Sequence, residues 1–232
     1  MNTDKKQALS VHLKAIRRML IVSVASVAVL FVLFFYLLCG PLVDFVLAPV
    51  RARGIEVITT SVSEALMMQF KVCLIAAVIA GMPVIIWQVW VFVAPALYPQ
   101  EKRLFAALFF VALLLFVGGV VFCYCLVFPM AIDLFWSAAD GVASTLWSVK
   151  EYFNFVLSFV LPFGLMFELP VVVYMLARRG LVTYQKLAHS RKYVILVIAI
   201  IAAILTPPDA VSQCMLAIPM ILLYEVAAQL AR

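Results

Sequence analysis

The sequence predicts an all-α polytopic membrane protein with six transmembrane helices, and three observations support this fold class. Of the 232 residues, 68% are hydrophobic and only 12% are charged. A soluble domain is about half apolar and about a quarter charged, so this chain has too few charges to cover a water-facing surface. The apolar residues form long runs, mostly near the ~20 residues that cross a bilayer, and the basic residues lie between them.

These runs define six spans within one integral membrane domain, residues 1–232. Ahead of the first span, apolar side chains recur at helical spacing opposite a basic face, which predicts an amphipathic cytoplasmic helix over residues 5–18. The last apolar stretch is interrupted at Pro207-Pro208, where two backbone donors are missing, so it predicts two short spans joined by a turn. The predicted spans are about residues 20–40, 72–93, 104–128, 152–177, 193–205 and 211–228. The longer segments 41–71 and 129–151 are expected to fold as caps with short helices.

Basic residues between the spans predict the orientation of the chain. Thirteen of them fall on one side of the predicted topology and three on the other. Because cytoplasmic loops carry the excess of lysine and arginine, both termini are expected in the cytoplasm of a bacterial-type inner membrane. The thirteen are Lys5, Lys6, Lys14, Arg17, Arg18, Lys102, Arg103, Arg178, Arg179, Lys186, Arg191, Lys192 and Arg232, and the three are Arg51, Arg53 and Lys150.

No catalytic set is evident in the sequence. Both histidines, His12 and His189, fall on the cytoplasmic side, and no serine or cysteine has a base at a recognisable spacing. The five cysteines lack the spacing of a zinc or redox motif, and the positive charge is explained by orientation rather than nucleic acid. We therefore expect no enzyme activity, no metal, no cofactor and no nucleic-acid partner.

Glu168 is a carboxylate inside a predicted span, where an ionisable group is costly. It either bonds backbone groups freed by Pro170 or forms a polar spot that contacts a partner or a water-filled concavity. Prolines inside predicted spans are each expected to bend a helix or open a gap in its hydrogen bonding. These prolines are Pro83, Pro162, Pro170 and Pro219.

Three further polar residues have two interpretations each. Glu101, in a short loop before a basic pair, is either a solvated charge or a carboxylate that accepts an arginine in a bidentate fork. Thr206 and Gln213, beside the predicted turn, either cap helices and bond within the chain or hydrogen-bond an incoming helix in lipid.

Several segments together resemble the TatC family of the twin-arginine protein translocase. They are Trp87 to Tyr98 followed by Glu101, Phe167-Glu168-Leu169-Pro170, Leu205-Thr206-Pro207-Pro208-Asp209, Gln213 with Ala217 to Met220, and Ile58 to Ser61 with Glu64 and Lys71. The resemblance implies a cup-shaped, six-helix protein that recognises paired arginines in signal peptides. It also implies export of folded proteins driven by the proton-motive force, with TatA- and TatB-like single-span subunits as partners. A homo-oligomer within that hetero-complex is expected.

Site residues follow from this resemblance. It implies a signal-peptide site of Glu101, Arg17, Phe92 and Leu97, and a polar point inside the cup at Glu168. It implies contact with a partner helix through Thr206, Gln213, Ala203 and Ile204. The residues expected to have structural roles are Pro49, Pro83, Tyr124, Pro207, Pro208 and Asp209.

One position departs from the family pattern. Ala15 stands where the family typically places a second arginine-binding glutamate, and Lys14 adds positive charge beside it. Four interpretations follow: weaker recognition, reliance on Glu101 alone, recognition of another signal, or an engineered substitution. Two alternative functions stay open at this point, a proton- or cation-coupled small-solute transporter and a scaffold paralogue with reduced signal recognition.

Overall fold

The computed structural model describes residues 2–93, 102–139, 146–178, 180, 182–205 and 210–231. Almost all of this part of the chain is helical. The helices are α1 (Asn2–Leu37), α2 (Cys39–Arg51), α3 (Glu64–Val93), α4 (Lys102–Phe122), α5 (Phe128–Ala139), α6 (Val149–Phe167), α7 (Leu169–Arg178), α8 (Tyr184–Leu205) and α9 (Ala210–Leu230). A π-helical turn, Cys123–Val127, joins α4 to α5.

The prediction of six transmembrane helices is confirmed within the described residues. Helices long and apolar enough to cross a membrane cover Leu13–Leu37, Glu64–Val91, Ala106–Ser137, Val149–Arg178, Tyr184–Leu205 and Ala210–Leu230. The last two are the shortest of the six, at 22 and 21 residues. The chain is therefore a multi-pass membrane protein.

Several helices extend beyond the predicted spans. The amphipathic segment 5–18 is not a separate helix but the beginning of α1, because neither glycine nor proline occurs before Gly40 to interrupt it. Helix α1 ends at Leu37, whose carbonyl would need the N–H of residue 41, a proline. Helix α8 begins at Tyr184 rather than at Tyr193, because its polar first turns are also helical. How much of each helix lies in the membrane stays a prediction.

The two predicted caps do contain short helices, α2 and α5. They also contain a feature that the all-α prediction missed. Strands β1 (Val57–Ile58) and β2 (Trp147–Ser148) pair in parallel, with Val57 opposite Trp147. Two residues a strand are too few to leave a periodic signal in the sequence.

Contacts between Cα atoms divide the chain into two compact units, and the single domain predicted over 1–232 stays a prediction. The first unit is Met1–Val43 with Gln69–Leu113. Within it α1 packs on α3 through stacked rings, with Phe35 and Phe70 centroids 4.7 Å apart. The second unit is Asp44–Met68 with Leu114–Arg232. Its core includes the fully buried rings of Phe116, Phe128, Phe153, Phe159 and Phe163.

Two glycines allow α4 and α6 to approach closely in the second unit. A Cβ atom built on Gly119 would lie 2.8 Å from the carbonyl oxygen of Phe163, and one built on Gly164 would lie 2.6 Å from the ring of Phe116. Small residues serve this purpose in membranes, where association depends on close packing rather than on the exclusion of water.

Candidate functional site

The predicted signal-peptide site is described only in part. Glu101 and Leu97 lie outside the described residues. Phe92 belongs to the last turn of α3, and Arg17 is exposed on α1, two residues from the exposed Ala15. The site therefore stays a prediction.

Glu168 lies at the break between α6 and α7. Pro170 cannot donate to the carbonyl of Met166, and the helix is interrupted by a turn at Glu168 before α7 begins. The Glu168 carbonyl accepts from the backbone N–H groups of Val171 and Val172, both at 3.1 Å. Its side chain does not bond the backbone freed by Pro170, because Oε1 is buried and has no hydrogen-bond partner among the described residues.

A buried carboxylate oxygen without a partner carries a large desolvation cost, so its surroundings must supply a proton, water or a ligand. This favours the second interpretation of Glu168, a polar point that contacts something outside the chain. That role stays a prediction.

Some of the predicted partner-helix residues are exposed to a second helix, and one of them bonds within the chain instead. Ala203 and Ile204 are exposed on α8, and Ile204 has 76% of its surface accessible. Gln213 instead bonds within the chain, since its Nε2 donates to the carbonyl of Ala199 at 3.0 Å and ties α9 to α8. Thr206, with Pro207, Pro208 and Asp209, lies outside the described residues.

Two contacts missed by sequence reasoning hold the start of α8 against the end of α9. The Tyr224 hydroxyl donates to the Leu187 carbonyl at 2.9 Å. Arg191, counted only as an orientation signal, pairs with Glu225 at 2.8 Å. The sequence does contain a signal for this pair. Helix α9 has one acidic residue, Glu225, near its end, and the neighbouring helix α8 begins with several cations.

A second group of contacts, which we call the α2 cluster, joins α2 to α5, α6 and the π-helical turn. Pro49 has no N–H, so the Phe45 carbonyl four residues earlier lacks its helical donor. The Tyr124 hydroxyl donates to that carbonyl at 2.8 Å, and the Tyr124 ring stacks on Phe45 with centroids 4.4 Å apart. Tyr152 donates to the neighbouring Val46 carbonyl at 2.7 Å. The structural roles expected of Pro49 and Tyr124 thus have a physical basis.

Arg53 completes the α2 cluster. Its Nε and Nη2 atoms donate to the two carboxylate oxygens of Asp133 at 2.5 and 3.0 Å, and its Nη1 donates to the Pro49 carbonyl at 3.0 Å. The hydrogen bond to Asp133 raises the pKa of Arg53 above its usual value. The bidentate geometry fixes the end of α2 against α5. Sequence reasoning missed this pair because 80 residues separate its members.

Pro83, the remaining structural candidate, lies inside α3 and is exposed. The described residues contain no group of three or more histidine, cysteine, aspartate or glutamate side chains that could hold a metal ion.

The sequence and the fold match one family of proteins. A family model described as Sec-independent protein translocase protein (TatC) matches residues 11–219. The chain belongs to the TatC family. A TatC of Carboxydothermus hydrogenoformans is 38% identical over 230 residues, covering 99% of this chain and 94% of the relative. A TatC of Haemophilus influenzae is 36% identical over 234 residues, covering 100% and 91%.

A solved structure gives the same result for the fold. A crystal structure described as the twin arginine translocase receptor TatC superposes with a TM-score of 0.89 at 36% identity, covering 95% of this chain and 97% of that one. The predicted TatC resemblance is therefore confirmed. This TatC-family chain is a component of the twin-arginine, Sec-independent protein translocase, and so a transport protein.

Proposed function

We propose that this chain is the signal-peptide receptor and assembly platform of its translocase, exporting folded proteins with the proton-motive force and without enzymatic turnover. The observation that supports this role is similarity at 36% identity, over 95% of the chain, to a protein described as the twin arginine translocase receptor. Both termini lie in the cytoplasm in this proposal, as the excess of cations on that side favours.

In the proposed recognition step, Glu101 accepts a signal-peptide arginine. Carboxylate and guanidinium form two parallel hydrogen bonds, which lysine cannot reproduce, and this difference accounts for a requirement for arginine. Arg17, Phe92 and Leu97 support the site. Ala15 supplies no second carboxylate, so the proposal assigns charge recognition to Glu101 alone.

The exposed apolar face of α8 suits a single-span partner subunit of the TatA or TatB kind. Five large side chains on this face are at least half exposed, namely Tyr193, Leu196, Val197, Ile200 and Ile204. Ala203, a small residue beside Ile204, permits close approach of a second helix. Gln213 acts indirectly, because its bond to the Ala199 carbonyl fixes α9 against the helix that carries this face. Several copies of the chain assemble with these subunits.

Export of a folded reporter tests the receptor role. Cells that lack their own TatC receive this chain and a reporter with an Arg-Arg signal. Glu101→Gln keeps the size of the side chain and removes its charge, so export should fall about tenfold or more, since a charged hydrogen bond contributes about 1.5–3 kcal/mol. Gln100→Ala is the matched control and should leave export unchanged.

Two outcomes would contradict the receptor role. One is export that persists equally for Arg-Arg and Lys-Lys signals in the Glu101→Gln variant. The other is a reporter that stays inside the cell while the chain produces a small-solute flux, which would favour the transporter alternative.

Restoring the second carboxylate separates a receptor from a scaffold paralogue. If the chain is a receptor with one carboxylate, Ala15→Glu should strengthen photo-crosslinking of an Arg-Arg signal by about tenfold, and export should already occur without it. Export that appears only in the Ala15→Glu variant would identify the natural chain as a scaffold.

Photo-crosslinking along α8 tests the partner surface. A crosslinking residue at Ile204, which is 76% exposed, should capture a single-span subunit, whereas one at Ile198, which is 3% exposed, should not. Equal capture from both positions would mean that α8 does not form this surface.

A further inference from the structure

A cavity of about 300 Å³ lies where β2 meets α6 in the second unit, and its lining is mainly aromatic. The volume is at the lower end of the range for small-ligand sites in proteins. The lining residues are Phe135, Trp147, Ser148, Glu151, Tyr152 and Phe155. Among these six, Glu151 alone is charged, so four rings and one carboxylate decide which ligand fits.

The four rings are held in place by contacts with one another and with the backbone. Phe135 and Phe155 meet edge to face, with ring centroids 5.6 Å apart. The centroids of Trp147 and Tyr152 are 6.2 Å apart, and the Tyr152 hydroxyl is already used, because it donates to the Val46 carbonyl. The faces of aromatic rings carry partial negative charge, so a cage of such rings attracts an organic cation.

Ser148 and Glu151 supply the polar part of the lining. The sequence Ser148-Val149-Lys150-Glu151 has the spacing of a capping box, in which each polar side chain bonds the backbone N–H of the other residue. The box is not formed here, because Ser148 occupies the N-cap position of α6 and its side chain makes no cap hydrogen bond. Within the part of the chain that the structure describes, neither side chain has a hydrogen-bond or ion-pair partner. Two acceptors of the cavity are therefore available to a ligand.

This lining selects an ammonium group and places an anion beside it. The carboxylate of Glu151 and the ring faces attract positive charge, and the oxygens of Glu151 and Ser148 can accept N–H groups of a primary ammonium. The exposed Lys150 is the next residue along the chain, and the N-terminus of α6 favours negative charge. A ligand in which a phosphate precedes a primary ammonium satisfies both requirements.

The position of the cavity along the spans indicates the source of such a ligand. Phe135 lies two residues before the end of the span Ala106–Ser137, and Glu151 lies two residues after the beginning of the span Val149–Arg178. The ends of spans lie at the level of the lipid headgroups, where tryptophan and tyrosine are typical. Glu151 is exposed, whereas Phe155, one turn further into the span, is buried. The charged side chain thus lies at the end of the cavity nearer the headgroups.

We propose that this cavity binds the headgroup of a zwitterionic phospholipid whose ammonium is primary, as in phosphatidylethanolamine. The ammonium lies among the rings and donates to Glu151 and Ser148. The phosphate lies toward Lys150 and the N-terminus of α6. The site does not rest on the receptor role or on the proposed orientation, because lipid headgroups are present at both surfaces of a membrane.

Lipid titration of the purified protein tests the site. The full chain in detergent is titrated with phosphatidylethanolamine, phosphatidylcholine and phosphatidylglycerol of the same acyl chains, and native mass spectrometry gives the dissociation constant of the first lipid bound. Phosphatidylethanolamine should bind about fivefold more tightly than phosphatidylcholine, whose ammonium has no N–H donor. Phosphatidylglycerol has no cation and should bind most weakly. Equal binding of the three lipids would overturn the proposal.

Variants with matched controls test the location. Glu151→Gln keeps the size of the side chain and removes its charge, so it should weaken binding of phosphatidylethanolamine about fivefold. The control Glu56→Gln removes an exposed carboxylate that is not among the described residues lining the cavity, and it should change nothing. Unchanged affinity in Glu151→Gln, or an equal loss in both variants, would contradict the proposal.

A second pair of variants tests the rings. Trp147→Leu keeps an apolar side chain and removes a ring face, so it should weaken binding about threefold. Trp136→Leu changes an exposed tryptophan of α5 outside the described lining and should have no effect. Equal affinities in these two variants would contradict the role of the rings. Because Glu151→Gln is isosteric, its result stands even where Trp147→Leu fails to fold.

Competition identifies the source of the ammonium. Free ethanolamine carries the same ammonium without phosphate or acyl chains, so a large molar excess should leave the bound lipid in place. Displacement by free ethanolamine from the natural chain would assign the cavity to a soluble ammonium compound and overturn the lipid assignment. None of these measurements uses a signal peptide, so loss of the receptor role in the export assay leaves their outcome unchanged.

Discussion

The first span and the fourth span are both apolar enough to cross a membrane, yet they differ in what surrounds them. None of the most apolar window in Leu13–Leu37 is buried by protein, whereas 44% of that in Val149–Arg178 is buried. The first span is also the more apolar of the two. Hydropathy therefore measures suitability for the bilayer, and it does not report how much of a helix packs against protein.

The difference lies in shape rather than in polarity. Lipid is as apolar as leucine, so a buried membrane helix is stabilised mainly by close packing. The fourth span has Gly164 and fully buried rings such as Phe159 and Phe163 for this purpose. Along α1 the side chains include exposed valines such as Val24 and Val29, which do not pack closely against protein.

Truncation of a buried ring should give the largest effect. Phe159 is 0% exposed in α6, and Phe159→Ala removes a ring that contacts Phe155 and Phe163. Such a change costs about 3–5 kcal/mol in a water-soluble core, and we expect about 3 kcal/mol here because lipid solvates the ring in the unfolded state. The measurement is the free energy of unfolding in mixed micelles.

The matched control is the same substitution at an exposed ring. Phe110 in α4 is 67% exposed, and Phe110→Ala should change the unfolding free energy by less than about 1 kcal/mol. Equal losses at Phe159 and Phe110 would show that burial does not separate the two kinds of surface.

Neighbouring glycines offer a sharper test, with a smaller effect. Gly119→Ala places a methyl group against the Phe163 carbonyl, a backbone atom that cannot rotate away. We expect a loss of about 1–3 kcal/mol in unfolding free energy. Gly118→Ala is the control, because a Cβ there meets nothing within 4 Å, and it should be neutral or stabilising by up to about 1 kcal/mol. If Gly119→Ala were as stable as Gly118→Ala, the close approach of α4 and α6 would be wrong.

The sequence was informative wherever one property was repeated along a segment. Long apolar runs predicted all six spans, and the sequence predicted short helices in both caps, where α2 and α5 are found. Contacts between distant residues could not be predicted in this way. Nothing near Pro49 indicates that Tyr124, 79 residues from Phe45, supplies the missing donor.

The residues of the candidate site show the same difference between what the sequence indicates and what depends on contacts between distant residues. Glu168 was predicted from its depth alone, because an ionisable residue in an apolar run is conspicuous wherever it packs. For Gln213 the sequence left two interpretations, and only the position of the Ala199 carbonyl shows that it bonds within the chain. Arg191 was predicted as a topological charge, and its pairing with Glu225 depends on how α8 and α9 align.

The hydrogen bond from Tyr124 to Phe45 should give the smallest effect. Tyr124→Phe removes the hydroxyl that donates to the Phe45 carbonyl at 2.8 Å, and we expect a loss of about 1 kcal/mol in unfolding free energy. In a Pro49→Ala background, residue 49 regains an N–H that can donate to the same carbonyl, so Tyr124→Phe should then cost about half as much.

The control for this coupling is Tyr152→Phe. Tyr152 donates to the Val46 carbonyl at 2.7 Å, and that carbonyl faces Val50, which has an N–H whether or not residue 49 is proline. Its loss should therefore be the same in both backgrounds, and a double-mutant cycle over the four pairs of variants measures the difference. Equal coupling of Pro49 to both tyrosines would mean that the substitution reshapes α2 as a whole. Coupling to Tyr124 alone would show that a tyrosine from the π-helical turn replaces the donor that proline removed.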